Sequence, residues 1–433
     1  MPEPVPFKES LLVYTQPRVV SMAFLGFSGG LPFLLVFSTL TAWLVEAGVS
    51  RGAIGFFAWV GITYSIKVLW APIIDTLPLP WFSRRLGQRR SWMLAGQIGI
   101  AAGLTLMALT GPASLWLLSA WALLVAFSSA TQDVSIDAWR IEAAPEDMQG
   151  AMSASYIFGY RVALLVGGAG ALYLAEYLSW PQAYLVMALL MGVGICTVLL
   201  VAEPDGERKA ALSVHGLADL GAWFSHAVVG PFVEFFRRNG QLALLILFFI
   251  AVFRLSDITM GIMANPFYLD MGYSKTEIAN VAKVYGFFMT IFGSFLCGIL
   301  VVRWGIFVPL VIGAVAVSAT NLLFVVLAGL PADPAYLAVV ISADNVSGGF
   351  AATAFVAYLS SLTNRVYTAT QYALFSSLMT LPGKFMSGFS GLVVDSFGYP
   401  IFFSTAALLG VPAILLALYL MSRFKAASDT AAG

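Results

Sequence analysis

From Val19 to Met421 the sequence runs as a series of long apolar stretches broken by short polar punctuation. A helix crossing the hydrocarbon layer of a bilayer needs about 20 apolar residues, and these stretches have that length. They are continuous and do not alternate with period two, so helices fit them and the strands of a membrane barrel do not. Only 10% of the residues are charged and 60% are hydrophobic, whereas a water-soluble surface needs about a quarter charged. The 433 residues therefore read as an all-α membrane protein whose first partner is the lipid bilayer.

Gly, Pro and charged breaks divide the chain into twelve transmembrane helices, at about 19–45, 53–75, 91–110, 115–139, 152–175, 182–201, 241–269, 277–302, 306–329, 335–362, 369–394 and 401–421. The head, Met1–Arg18, has no short apolar region ending in a cleavage site, so Val19 onward reads as a retained first helix. An even number of crossings puts both termini on one side. With the termini in the cytoplasm, 15 bases fall on that face and only Arg51 and Lys275 on the other, an asymmetry that fixes this orientation.

The longest polar interruption divides the chain into an N-terminal six-helix bundle at 1–202, a central cytoplasmic loop at 203–240 and a C-terminal six-helix bundle at 241–433. In the loop, Leu217, Leu220, Trp223, Phe224 and Val228 recur at near-helical spacing, which fits a short interfacial helix or a plain linker. An internal repeat supports the division. Glu46, Gly48, Ser50, Arg51 and Ile54 recur as Asp270, Gly272, Ser274, Lys275 and Ile278, 224 residues on. Gln149 before Arg161 is echoed by Gln371 before Lys384. The seventh helix thus repeats the first in the same orientation, and the halves read as parallel copies able to rock about a midplane site.

A charge inside the hydrocarbon costs several kcal/mol, so each intramembrane ionisable residue is a site candidate. Asp133 and Asp137 share one face of the fourth helix beside Gln132. Two carboxylates desolvated together resist both being ionised, which suits them to take up and release a proton; the alternative is a fixed pair with Lys67 or Arg161. Arg161 offers a planar fork for a carboxylate, and Tyr156 and Tyr160 offer aromatic faces and hydroxyls for sugars. In the second half Arg254 and Asp257 are spaced to pair within one helix, while Lys283, Asp344, Asn345 and Lys384 are further candidates for substrate contact. Gly26, Gly29, Gly30 and Pro32 break the first helix and Pro382 with Gly383 breaks the eleventh, as in helices that bend.

Asp75 closes the second helix and precedes a turn carrying Arg84, Arg85, Arg89 and Arg90. An acid at a helix end beside such a turn can lock helix ends together as a cytoplasmic gate; a simple retention cluster is the plainer reading. The formal net charge of zero argues against a nucleic-acid partner. Cys196 and Cys297 lack ligand spacing, His215 and His226 belong to no catalytic motif, and no phosphate-binding loop is present, so neither a metal nor an enzyme is expected. Uphill transport then draws on an ion gradient or an external ATPase, with no cofactor expected.

With these segments in view, the turn from Asp75 to Arg90 and the two-bundle plan resemble the major facilitator superfamily. The second half keeps only Gly298 and Arg303-Trp304-Gly305, without the acid, so the lock is expected on one side alone. Gln16-Pro-Arg18, Leu25 to Pro32, Ile54 to Phe57, Ser129 to Trp139, Gly159-Tyr-Arg161, Gly348-Gly349, Ala352 to Phe355 and Thr368 to Gln371 narrow the resemblance to AmpG-type muropeptide permeases. That resemblance implies proton-driven import of N-acetylglucosaminyl-1,6-anhydro-N-acetylmuramic acid, with or without its peptide, across the bacterial inner membrane; a monomer is expected. Relatives of similar length take up siderophores, which leaves a siderophore or another bulky anionic metabolite open as the substrate. A non-transporting membrane sensor is the reading from another class.

Overall fold

The computed structural model describes residues 11–49, 58–204, 225–274, 277–387 and 389–432. Among these, α1 is Pro17–Glu46, α3 Gln88–Ala113, α4 Leu115–Ala143, α5 Glu146–Tyr177, α6 Trp180–Leu200, α7 Leu242–Asp270, α8 Asn280–Trp304, α9 Phe307–Leu327, α10 Pro334–Ser361 and α12 Ser390–Arg423. These ten helices are long and apolar enough to cross a membrane. Between them lie α2, at 58–76, and α11, Thr368–Ser387. Exposed Leu109, Leu189 and Leu200 on the outer faces suit a chain solvated by lipid tails.

The second helix is the one that departs most from expectation. The sequence predicts one helix over 53–75; residues 58–76 form four short pieces, Ala58–Gly61, Ile62–Ser65, Lys67–Leu69 and Ala71–Thr76. Pro72 and the polar Ser65, Lys67 and Asp75 explain why this stretch does not run as a smooth apolar rod. The eleventh helix is continuous to Ser387 but carries Thr370, Gln371, Ser376, Ser377, Thr380 and Lys384. These two polar segments lie against each other. Ser377 Oγ donates to Ser65 O at 3.4 Å and Lys384 Nζ to Ser65 Oγ at 3.3 Å, so the break in α2 meets α11 beside Pro382 and Gly383, which, contrary to the expectation from the sequence, do not interrupt the helix.

Prolines also explain local ties. Pro32 has no N–H for the carbonyl of Ser28, four residues back, and α1 breaks soon after, between Leu35 and Ser38. The orphaned Ser28 carbonyl accepts from Gln132 Nε2 at 3.1 Å, and Ser28 Oγ donates to Gln132 Oε1 at 2.5 Å. A polar group freed in hydrocarbon must find such a partner within the protein.

The sequence repeat has a structural counterpart. Glu46, ending α1, accepts from Trp180 Nε1 at the start of α6 at 2.8 Å. Asp270, ending α7, accepts from Tyr399 Oη in α12 at 2.5 Å. Acid and aromatic thus close the first and last helix of each half in the same way. Of the interfacial helix expected in the central loop, Leu217, Leu220, Trp223 and Phe224 lie outside the described residues. Val228 falls in a π turn, Ser225–Val229, which leads into the helix Gly230–Asn239.

Candidate transport site and gate

Two groups of intramembrane charge bridge the halves. In the first, the Asp133 carboxylate lies in the field of Lys67 and Asp137 and accepts weakly from Tyr156 Oη at 3.4 Å. Lys67 in turn lies in the field of Lys384 from α11. In the second, Arg161 of α5 faces Arg254 and Asp257 of α7, and Asp257 faces Asp344 of α10. Arg254 and Asp257 are bonded within their helix, with Nε to Oδ2 at 3.0 Å and a closer contact from Nη2. Each group holds two acids and two bases, so each is formally neutral while keeping charged heads for a polar ligand. Neutral sets of this kind keep the cost of intramembrane charge low.

The close approach of α1 shapes the first group. A Cβ on Gly29 would stand 2.6 Å from Tyr156 Oη and 3.1 Å from Asp133 Oδ1. Gly29→Val is therefore expected to displace the Tyr156–Asp133 pair, which uptake by the variant would show as loss of transport with normal membrane insertion.

Other residues singled out from the sequence fall elsewhere. Gln132 is fully buried in the tie to Ser28. Asn345 accepts from Thr290 Oγ1 at 2.8 Å and joins α8 to α10. Lys283 is exposed in the π stretch Ile278–Tyr285 and makes no hydrogen bond or ion pair among the described residues. Tyr160 packs against Tyr156 with the rings tilted by 36° and their centroids 6.0 Å apart. Arg161 is not paired with Asp133, whose nearest cationic influence is Lys67.

At one end of the molecule the halves are bolted together. Asp75 is only 1% exposed, and its Oδ1 accepts from Arg89 Nη2 at 2.8 Å and Ala369 N at 3.1 Å. Its Oδ2 accepts from Thr370 N and Thr370 Oγ1, both at 2.7 Å. The first N–H groups of a helix have no partner within it and carry the positive end of its dipole. Asp75 thus caps α11 from the opposite half. Arg89 grips Glu142 of α4 through Nε at 3.0 Å and Nη2 at 2.7 Å, and Thr368 Oγ1 donates to the same carboxylate at 2.7 Å. Arg90 binds the carbonyls of Val198 and Leu199, while Arg84 and Arg85 are exposed in the turn. Glu203 caps α3, accepting from Arg89 N at 2.7 Å and Arg90 N at 3.0 Å; burial pushes its carboxyl up against the pull of those donors.

Sequence reading missed the second bolt. Arg140, one residue past the fourth helix drawn from the sequence at 115–139 and one of the 15 bases placed on the cytoplasmic face there, is 1% exposed. It donates to Gln149 Oε1 at 2.9 Å and across the halves to Ser360 Oγ at 2.8 Å, and it lies 5.2 Å over the Tyr372 ring. Its Nη2 also reaches Asp137 Oδ1 at 3.4 Å, linking the gate to the Asp133 group. The available signal was the position of Arg140 one helical turn beyond Asp137, on the same face.

The counterpart contact, between the end of α8 and the start of α5, is apolar. A Cβ on Gly150 would lie 2.7 Å from Val301 Cβ. On this side Arg303 has a buried Nε with no hydrogen-bond partner among the described residues. Among the described residues no carboxylate bonds across the halves at this contact. Gly150→Val is expected to hold this end apart. Spin labels on Arg84→Cys and Arg237→Cys, in a background without Cys196, would read a longer mean distance than in the parent.

A sequence model of the Major Facilitator Superfamily matches residues 19–385. The chain belongs to that superfamily. It is similar to the putative transporter AmpG 4 of Rickettsia conorii, 35% identical with 95% of this chain and 98% of that protein covered. The anhydromuropeptide permease of Escherichia coli K12 is 33% identical, over 94% of this chain and 80% of that protein. Among solved structures, the Escherichia coli fucose:proton symporter FucP matches with a TM-score of 0.68 at 12% identity, covering 93% of this chain and 97% of that one. The human organic anion transporter MFSD10 matches at 0.66 and 15% identity, covering 92% and 99%. Those two likenesses establish the fold. As a superfamily member with permease relatives, the protein is a multi-pass inner-membrane transporter and not an enzyme.

Proposed function

We propose that the chain imports anhydro-muropeptides, disaccharides with or without peptide, across the bacterial inner membrane by proton symport. It does so as a twelve-crossing monomer with both termini in the cytoplasm, built from bundles 1–202 and 241–433 joined by 203–240. No cofactor is required beyond the proton gradient.

The observation that carries this reading is the pair of neutral charge groups spanning the halves, taken with relatives named for muropeptide transport. Arg161 and Lys384 suit the acidic groups of a glycopeptide, Tyr156 and Tyr160 its sugar rings, and Asp133 with Asp137 the proton. Alternating access follows from the geometry: with Asp75 on α11 the cytoplasmic end is closed, and loading the charge groups with proton and substrate favours its release. The distribution of bases supports the orientation, since Arg84, Arg85, Arg89 and Arg90 all lie at the bolted end.

The test is uptake of radiolabelled disaccharide and disaccharide-tripeptide into vesicles holding the protein, with and without an imposed pH gradient, acid outside. Accumulation against the concentration gradient, abolished by a protonophore, is expected. Uptake of a ferric chelate in place of either sugar would contradict the substrate assignment.

A further inference from the structure

A cavity of about 1090 Å³ opens beside the gate, apart from the charge groups of the transport site. Its lining includes Arg18 and Phe24 of α1, Glu142 of α4, Leu200 of α6, Glu203, and Arg365 from the turn before α11. Both carboxylates are already engaged, Glu142 by Arg89 and Thr368 and Glu203 by two backbone N–H groups. The guanidiniums keep donors to spare. Arg18 gives one N–H to Ala143 O at 2.5 Å, and the exposed Arg365 side chain makes no hydrogen bond or ion pair among the described residues. The unused donors of the cavity are thus cationic, while Phe24 and Leu200 leave its outer wall apolar and exposed.

Arg18 stands at the start of α1 and Leu200 at the end of α6, so the cavity lies where the helices leave the hydrocarbon, at headgroup depth. A ligand that fits must be anionic at one end and apolar at the other, and it must be present at that depth. We propose that this cavity binds an anionic phospholipid of the adjoining leaflet, its phosphate between Arg18 and Arg365 and an acyl chain along Phe24 and Leu200. Arg365 belongs to the C-terminal half and the other lining residues to the N-terminal stretch up to Pro204. The site is therefore complete only while the gate is shut, and the lipid stabilises that state.

The experiment reconstitutes the full chain into vesicles of phosphatidylcholine mixed with phosphatidylglycerol, extracts it in mild detergent and counts retained lipid by native mass spectrometry. The parent protein is expected to keep phosphatidylglycerol in preference to phosphatidylcholine. Arg18→Gln and Arg365→Gln should each lower that retention about fivefold, and Arg18→Lys with Arg365→Lys should restore most of it. Equal retention of the two lipids by the parent, or retention unaffected by the double Gln variant, would overturn the proposal. So would displacement of the lipid by free glycerol phosphate as readily as by short-chain phosphatidylglycerol, since the ligand would then be a soluble phosphate.

Discussion

Asp75→Ala is expected to open the bolted end of the molecule. Among the described residues the carboxylate accepts hydrogen bonds from Arg89 Nη2 and, in the first turn of α11, from Ala369 N, Thr370 N and Thr370 Oγ1, and almost none of it meets solvent. Removing it orphans two backbone N–H groups and half-unpairs a buried guanidinium. Breaking a buried charged pair costs about 3–5 kcal/mol, and each 1.4 kcal/mol is roughly tenfold in population. The closed state should therefore lose at least about a hundredfold in relative population. Spin-label distances across the gate, between the 84 and 237 positions, would lengthen in the variant. Asp75→Asn should fall between, because an amide still accepts from Thr370 but no longer carries charge for Arg89 or the helix dipole. Distances unchanged from the parent in Asp75→Ala would show that the apolar contact of Gly150 with Val301 closes this end unaided.

The second large effect concerns coupling. Asp133→Asn should abolish accumulation driven by a pH gradient while leaving counterflow, the exchange of labelled for unlabelled substrate without net proton movement. A gradient of one pH unit supports about tenfold accumulation per coupled proton, so the parent should reach about tenfold and the variant about equality. Loss of counterflow as well would place Asp133 in substrate binding or in packing against Gly29. Asp137→Asn is expected to act differently, because Asp137 is the carboxylate beside Arg140 and its loss loosens the Ser360 and Tyr372 contacts across the halves.

The fold was largely legible from residues because hydrocarbon allows a spanning chain few solutions. Apolar runs marked the helices, and the Glu46 and Asp270 echoes marked equivalent helix ends. The second helix was misread because hydropathy averages over a window and passes across Pro72 and the Ser65–Lys67 break. The gate was half legible. Asp75 and Arg89 stand out as charges, but the groups that receive Asp75 are the backbone N–H of Ala369 and Thr370, which leave no side-chain signature. Arg140 was hidden by the counting of bases at helix ends, which ignores whether a side chain turns inward. Gln132 looked like a site residue because it adjoins Asp133. Its partner could have been inferred from Pro32, which orphans the Ser28 carbonyl, but which helix answers that carbonyl is a matter of tertiary packing.

The central claim is that muropeptide and proton move together through the two charge groups. Its most direct test is proton flux: proteoliposomes carrying a pH-sensitive dye inside, with no imposed gradient, receive anhydro-muropeptide outside. Acidification of the lumen in the parent, absent with Asp133→Asn, is the predicted result. Entry of labelled muropeptide with no change in internal pH would contradict it.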